Sequence, residues 1–286
     1  MVFRRLRTRP PIRLVAAVAG MALVLSSCQY YAAATRHREE SPSTRPWWCH
    51  SSGDGGHAGG HGDHDGGAYA GQTKGMLSWE DCIAVSVQFD AALEYVNQWP
   101  TAGEAEAAGF HQVVPYVAGM GTHHVRVQDF GAHHFDDPDF DPHEPVFENS
   151  IIDDAFHPGQ PEFLMYDGNG PGARLVGMAW YVRTDDGRPP EGFAGGNDWW
   201  HVHPRLCFDR DTVQFRGQGR TDEDCASRNG VNLHLDDYWM VHAWILPGWT
   251  HEPDVFVNHH PCLVGGGPAP HDDPCWDMAT GGHTGH

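Results

Sequence analysis

Glycine and proline interrupt this chain often enough to limit how much regular structure it can form. They account for 35 and 21 of its 286 residues, about a fifth of the chain against a usual eighth. Much of the sequence must therefore be loop. Large apolar side chains are still numerous, with 11 Trp, 13 Phe and 8 Tyr, and they can build one core of roughly 150 to 200 residues. We expect a single folded domain between unstructured flanks.

The charge balance excludes one class of partner. The chain has 38 Asp and Glu against 18 Lys and Arg, which gives a formal net charge of -20. Such a chain is repelled by polyanions, so we expect no nucleic-acid partner and no binding to an anionic lipid surface through charge. The 22 His are the outstanding feature, because imidazole is the commonest metal ligand and titrates near neutral pH.

The N-terminal region has the pattern of a lipoprotein signal peptide, residues 1–27. Arginines and no acidic residues precede an apolar run at 14–25, which small residues connect to Cys28. The run is too short for a stable membrane span. We predict that Cys28 becomes a lipidated N-terminus, which anchors the chain in the outer face of the cytoplasmic membrane. An uncleaved anchor helix is the alternative, and it predicts the same extracytoplasmic location.

The remaining cysteines predict disulfides. Apart from Cys28 the chain has an even number of them, and an oxidising compartment favours their pairing. They are Cys49, Cys82, Cys207, Cys225, Cys262 and Cys275. The sequence leaves the full pairing open, and the one pair that we predict is Cys207 with Cys225, which would close a short loop.

Composition divides the chain beyond the signal peptide into three parts. Residues 28–77 form a low-complexity Gly/His-rich tether, which cannot bury enough apolar surface to fold alone. Residues 78–264 form the folded α+β domain. Residues 265–286 are again rich in Gly and His, and we expect a flexible tail.

Two helices are predicted at the start of the domain. Ser78 is a helix N-cap followed by an acidic first turn, and apolar residues recur at near-helical spacing up to about Asn97. Thr101 and Glu104 have the spacing of a capping box, and this short helix stops at Gly109.

Strands dominate the rest of the domain. Residues 163–166 and 173–184 flank a Gly-rich turn, and alternation in the second segment predicts one buried face. Further strands are predicted near 199–209 and 237–246. The fold class is therefore α+β, with N-terminal helices followed by an antiparallel β-sheet or barrel, and with disordered ends.

Several histidines lie on these predicted strands. Alternation within 199–209 places His201 and His203 on one face, roughly 7 Å apart and near enough to share a metal ion. His242 projects from the strand at 237–246. A candidate strand at 121–127 points His123 and His124 to opposite sides, so only one of them can join a common site.

These positions suggest a metal centre. We hypothesise that His201, His203, His242 and one of His123 and His124, of which we take His123, coordinate a single transition-metal ion. Zn²⁺ and Cu²⁺ suit such ligands best. The simpler reading is that these are hydrogen-bonded histidines beside aromatic side chains.

The functional alternatives stay open. The first is metal binding or handling at the cell envelope, and the second is a metal-dependent oxidoreductase or hydrolase in which Asp198, Glu191 or Tyr238 handles protons. The third is a metal-free envelope interaction domain. The motifs of zinc metalloproteases, α/β-hydrolases, P-loop proteins and Rossmann folds are absent, and the sequence assigns no catalytic residue.

Several motifs carry a resemblance to other proteins. They are GMGTH at 119–123, FHPGQPEFLMYDG at 156–168, PPEGF at 189–193, WHVH at 200–203 and WMVHAWILPGW at 239–249. In this order they resemble a group of secreted actinobacterial proteins for which no activity is established. The resemblance covers roughly residues 78–263, and it implies that the helices, the hairpin and the His-bearing strands form one unit.

A shorter motif is similar to part of the cupin family. Gly195 followed after five residues by His201-Val-His203 matches the opening of the first cupin metal motif. The carboxylate that cupins have a few residues later is missing, because Cys207 and Phe208 stand there. The resemblance therefore implies a metal-binding HxH pair and leaves the other ligands unassigned.

Overall fold

The computed structural model describes residues 47–49, 77–126, 135–136, 139–143, 151–252 and 254–280. All of them belong to one compact unit, Pro46–His286. The signal peptide predicted for 1–27 and the lipidation site Cys28 lie outside the described residues. Within these ranges no helix has the length and apolar character needed to cross a membrane.

Both predicted N-terminal helices are confirmed. Helix α1 (Trp79–Val96) begins after Ser78, whose side chain accepts a hydrogen bond from the Asp81 backbone N–H. Helix α2 (Ala102–Ala107) has the capping box of Thr101 and Glu104. It ends before Gly109, where φ is +91° and glycine avoids the steric cost of a Cβ atom.

The strands follow these two helices along the chain. In chain order they are β1 (Phe110–Val117), β2 (Gly121–Arg126), β3 (Phe163–Tyr166), β4 (Leu175–Arg183), β5 (His201–Val202), β6 (Arg205–Asp209), β7 (Phe215–Gln218), β8 (Gly230–His234), β9 (Tyr238–Ala243), β10 (Leu263–Val264) and β11 (Gly267–Pro268). Two short helices, α3 (Asp222–Ala226) and α4 (Cys275–Ala279), complete the described elements.

Antiparallel pairing organises these strands into separate sheets. The order β1-β2-β3-β4-β9-β5 forms a six-stranded sheet, β7-β6-β8 forms a three-stranded sheet, and β10-β11 is a small hairpin. The α+β fold class with an antiparallel sheet is thus confirmed. The described strands form open sheets and no closed barrel.

The strand predicted at 199–209 is wrong as a single element. It divides at His203-Pro204 into β5, which pairs with β9, and β6, which pairs with β7 and β8. Proline has no N–H for a sheet hydrogen bond, so a strand commonly ends beside it. The chain therefore passes here from the six-stranded sheet to the three-stranded one.

The six-stranded sheet is covered on both faces. On one face, which we call the helix face, Trp180 packs against Phe193 at a centroid distance of 4.8 Å, and Phe193 contacts Phe89 of α1 at 5.3 Å. The other, the cavity face, is turned to the three-stranded sheet.

Every residue of β4 except the last is buried, so the prediction that only one face of this strand is buried is wrong. The cause is the second sheet, which lies far along the chain from β4.

Disulfides join Cys49 to Cys82, Cys207 to Cys225 and Cys262 to Cys275. The pairing predicted for Cys207 and Cys225 is confirmed. Such bonds are typical of proteins that fold outside the cytoplasm.

The other two disulfides lie at the borders of the folded region. The 3₁₀ helix Trp47–Cys49 is bonded to α1, and the indole of Trp48 donates a 2.9 Å hydrogen bond to Ser86. At the C-terminal border, the disulfide from Cys275 to Cys262 attaches α4 to the domain. The described residues therefore include 47–49, within the segment predicted as tether, and 265–280, within the segment predicted as tail. Each segment is held by its disulfide and by one tryptophan, since Trp48 contacts Phe89 and Trp276 contacts Trp249.

Candidate metal centre

The predicted ligands come from several elements of the six-stranded sheet. His123 lies on β2, His242 on β9 and His201 on β5, while His203 directly follows β5. The side chains of His123, His201 and His242 are almost fully buried, with 4, 2 and 1 % of their surface exposed. Pairing of His242 with Ala179, and of His201 with Met240, puts both rings on the cavity face.

A small residue of β4 lies between the rings that meet across the sheet. His123 on β2 is separated from His242 on β9 by β3 and β4. Ala179 of β4 is paired with His242 and with Phe163 of β3, and its methyl group leaves space for the two imidazoles to reach each other over β4. A Cβ atom at Gly177 would lie 2.8 Å from the Trp244 ring, so that glycine accommodates Trp244 rather than the imidazoles.

The four rings form one cluster made of two pairs. Nε2 of His123 lies 3.3 Å from Nε2 of His242, and Nε2 of His201 lies 3.1 Å from Nε2 of His203. The pairs adjoin, because the ring centroids of His201 and His242 are 5.3 Å apart. The structure thus brings together all four histidines that the sequence singled out.

These separations can be compared with those in a metal shell. Nitrogen ligands about 2.0–2.1 Å from a tetrahedral ion are about 3.3–3.4 Å from each other. Both Nε2–Nε2 distances are close to this edge length, and they also suit a hydrogen bond between two neutral imidazoles. Within the described residues, no group of three or more His, Cys, Asp or Glu side chains is already arranged to hold a metal ion. The cluster consists of ligand pairs rather than a completed shell.

Burial favours the neutral form of His123, His201 and His242. It lowers the pKa of His123 to about 3, with further lowering by His203 and His124. Burial also lowers the pKa of His201 and His242 well below the usual value, and neighbouring histidines act in the same direction. Neutral imidazole is the form that coordinates a cation, so these rings would not first have to lose a proton at pH 6 to 7.

The Nδ1 atoms, which point away from the Nε2 contacts, differ in their surroundings. Nδ1 of His201 lies 3.5 Å from the carbonyl oxygen of Trp199. Nδ1 of His123 and Nδ1 of His242 are buried and have no hydrogen-bond partner among the described residues. Packing therefore orients these two rings, as in the edge contact of His123 with Phe163 at 5.8 Å.

His124 is placed away from the cluster. It lies on the helix face, where its ring meets Tyr166 at a centroid distance of 4.8 Å. Burial lowers its pKa to about 4. The alternation of β2 accounts for this split, because successive side chains of a strand point to opposite faces.

The residues considered for proton transfer occupy other environments. Asp198 accepts hydrogen bonds from the Phe193 backbone N–H at 2.9 Å and the Trp200 indole at 2.7 Å, so it stabilises the loop before β5. Glu191 is exposed. Tyr238 stacks on Tyr181 at 5.3 Å.

A cavity adjoins the cluster between the two larger sheets. Its volume is about 140 Å³, and His123, His203 and His242 are among the residues that line it. The rest of the wall is largely apolar. Sequence reasoning missed Tyr181, which also lines the cavity. Tyr181 follows Trp180 on β4, so alternation places its side chain on the other face of the strand. Nothing in the sequence indicates that this face is also buried, because the sheet that covers it lies elsewhere in the chain.

Comparisons with known proteins give no relative. No family model matches the chain, and no curated protein and no solved structure matches it. The resemblances to the secreted actinobacterial group and to the cupin HxH pair therefore stay predictions from the motifs.

Proposed function

We propose that this protein is an extracytoplasmic lipoprotein that binds one transition-metal ion, Zn²⁺ or Cu²⁺, through His123, His201, His203 and His242. Its role would be metal binding or handling at the cell envelope. The main support is the pair of Nε2–Nε2 contacts, 3.1 and 3.3 Å, within one buried cluster. Such separations are those that two ligands of the same ion adopt.

The chemistry of the donors favours these metals. Imidazole suits Zn²⁺ and Cu²⁺, whereas Ca²⁺ and Mg²⁺ require oxygen ligands. Burial next to other histidines disfavours a protonated ring. A cation shared by these nitrogens would use the lone pairs that the ring contacts now bring together.

The location follows from separate features. Three disulfides fit an oxidising compartment, and the signal pattern before Cys28 supports lipidation at that thiol. The anchor would be the lipid on Cys28. A Cys28→Ala variant is expected to lose incorporation of labelled palmitate and membrane association, whereas retention of both would contradict the lipid anchor.

A metal-dependent oxidoreductase or hydrolase is the second candidate. The cavity favours it, because three of the four rings line the cavity wall. A molecule in the cavity would lie beside an ion held by these rings, as in catalytic sites that keep a position open for substrate.

Metal content of matched variants tests the proposal. The full-length protein, purified without a His-tag, is compared with His123→Leu and His124→Leu by elemental analysis. Both substitutions remove a buried imidazole from β2, but only His123 belongs to the cluster. We expect the wild type and His124→Leu to hold one more Zn²⁺ or Cu²⁺ per chain than His123→Leu.

The same pair of variants controls for other histidines. His50, His57, His61 and His64 of the predicted tether can bind cations loosely, but they are identical in every variant. Equal metal content in the two leucine variants would refute the site. It would favour the metal-free interaction domain.

A further inference from the structure

The cavity between the two sheets has the size of a small-molecule site. Its volume is about 140 Å³, and an apolar protein cavity of about 150 Å³ binds benzene. A ligand of about six to ten non-hydrogen atoms would make packing contacts along this wall.

The wall favours an aromatic occupant. Several phenylalanines contribute to it, and they are Phe135, Phe140, Phe163, Phe208 and Phe215. Two of their contacts already have edge-to-face geometry, Phe135 with Phe140 at 5.3 Å and Phe208 with Phe215 at 6.1 Å. A flat ring can add further contacts of this kind, which aromatic side chains prefer.

Three polar atoms of the wall are unpaired within the described part of the chain. The hydroxyl of Tyr181 is buried and has no hydrogen-bond partner among the described residues, and the same holds for Nδ1 of His123 and of His242. All three residues line the cavity. A buried polar group without a partner is unfavourable, so a ligand that forms a hydrogen bond with Tyr181 gains affinity.

Charge is disfavoured inside this wall. No Asp, Glu, Lys or Arg is among the described residues that line the cavity, so the wall has no formal charge to pair with an ion. Transfer of an unpaired ion into such surroundings is costly. The occupant should therefore be neutral.

We infer that the cavity binds a small neutral aromatic molecule with one hydroxyl group, of which phenol is the simplest. The hydroxyl can accept a hydrogen bond from Tyr181 and donate one to another acceptor. This inference goes beyond the metal site and does not depend on it. It assigns a ligand class to the space next to the histidine cluster.

Calorimetric titration of the full-length, EDTA-treated protein tests the ligand class. The probes are phenol, toluene and benzoate at pH 7.5. We expect phenol to bind at one molecule per chain, toluene to bind about tenfold more weakly, and benzoate not to bind, because one good hydrogen bond is worth about tenfold in affinity. The absence of phenol binding, or tighter binding of benzoate, would overturn the inference.

Two valines of β1 locate the site. Val114 and Val117 are both half-buried, but only Val114 lines the cavity. Val114→Phe should fill the space and weaken phenol and toluene binding at least about tenfold, since no room is left for a second ring. Val117→Phe should bind both as the wild type does, and equal binding by the two variants would place the ligand elsewhere.

A third variant tests the hydroxyl. Tyr181→Phe removes only one oxygen and keeps the ring, and circular dichroism checks that it folds. We expect phenol affinity to fall about tenfold, to that of toluene, while toluene affinity is unchanged. An unaltered phenol affinity would remove Tyr181 from the site. Metal content measured on Val114→Phe separates this inference from the proposed function, because that variant should retain its metal.

Discussion

The two faces of the six-stranded sheet carry neighbouring residues of the same strands into different environments. On the helix face, Trp180 and Trp200 are completely or almost completely buried, and the Trp180 indole donates a 3.1 Å hydrogen bond to the His157 carbonyl. On the cavity face, the imidazoles meet one another and a void remains. The helix face is tightly packed, although both ring nitrogens of His124 are buried there without a hydrogen-bond partner among the described residues. The cavity face has unpaired polar groups that line a cavity.

We expect the helix face to contribute mainly to stability and the cavity face to contribute mainly to binding. A well-packed face contributes most when it is left unchanged. Unpaired buried groups and a cavity cost free energy, and such features cluster at binding sites. His123 and His124 show the contrast within one dipeptide, since the first joins the cluster and the second packs against Tyr166.

Two methionines give the largest expected effect. Met178 lies on the helix face and Met240 lines the cavity, and both are buried. Methionine-to-alanine changes cost about 2–5 kcal/mol, depending on how much packing is lost. In urea unfolding, we expect Met178→Ala to lower the free energy of unfolding by an amount near the upper end of that range. Met240→Ala should lower it by an amount near the lower end. Equal losses would mean that the two faces are equally well packed.

Metal binding should stabilise the folded protein through the cavity face alone. Zn²⁺ at 100 times its Kd is expected to raise the free energy of unfolding by about 3 kcal/mol. EDTA should reverse the effect. The stabilisation should persist in His124→Leu and disappear in His123→Leu, as measured by urea unfolding with and without the ion. Identical stabilisation of both variants would assign the ion to another part of the chain.

His260 provides a pH test outside the cluster. It contacts Trp244 at a centroid distance of 5.2 Å, and burial lowers its pKa to about 3. The unfolded chain takes up a proton at this histidine below about pH 6.5 and the folded chain does not, so stability falls as pH decreases through this window. Between pH 7 and pH 5 the loss from this residue should be about 2 kcal/mol.

The variant His260→Asn keeps an acceptor for the Cys262 backbone N–H, which donates to Nδ1 at 3.2 Å. Its free energy of unfolding, measured in urea with EDTA present, should therefore fall less than that of the wild type between pH 7 and pH 5. His271→Asn, at an exposed position, is the matched control. An unchanged slope in His260→Asn would contradict the assignment.

Two tyrosines give the smallest and most selective effect. The Tyr166 hydroxyl on the helix face donates a 2.9 Å hydrogen bond to the Trp99 carbonyl, whereas the Tyr181 hydroxyl has no partner among the described residues. Tyr166→Phe should therefore cost about 1 kcal/mol, and Tyr181→Phe should stabilise the ligand-free protein by about 1 kcal/mol. Changes of the same sign in urea unfolding would remove this distinction between the faces.

Local patterns predicted much of the fold. The Ser78 cap, the Thr101–Glu104 capping box and the turn between β3 and β4 depend on residues within a few positions of one another. They could therefore be found without tertiary information. Packing of Trp47–Cys49 and of α4 could not, because each depends on a disulfide to a residue 33 or 13 positions away.

The candidate site was predicted residue by residue and not in its geometry. Alternation separated His123 from His124, and the HxH spacing selected His201 and His203. The separation of about 7 Å expected on one continuous strand did not hold, because the chain changes sheets at Pro204 and the Nε2 atoms approach to 3.1 Å. Tyr181 was missed because the three-stranded sheet that buries it is formed by residues 205–234.

Sequence alone thus determined the element types, the acidic and histidine-rich character and the residues available as ligands, since these depend on composition and short-range periodicity. The tertiary structure decided which imidazoles meet, which face of the sheet is filled and where a cavity remains. The physical reason is that β2, β4, β5 and β9 become neighbours only through long-range pairing. The small side chain of Ala179 then leaves space over β4 for imidazoles from distant strands to come into contact.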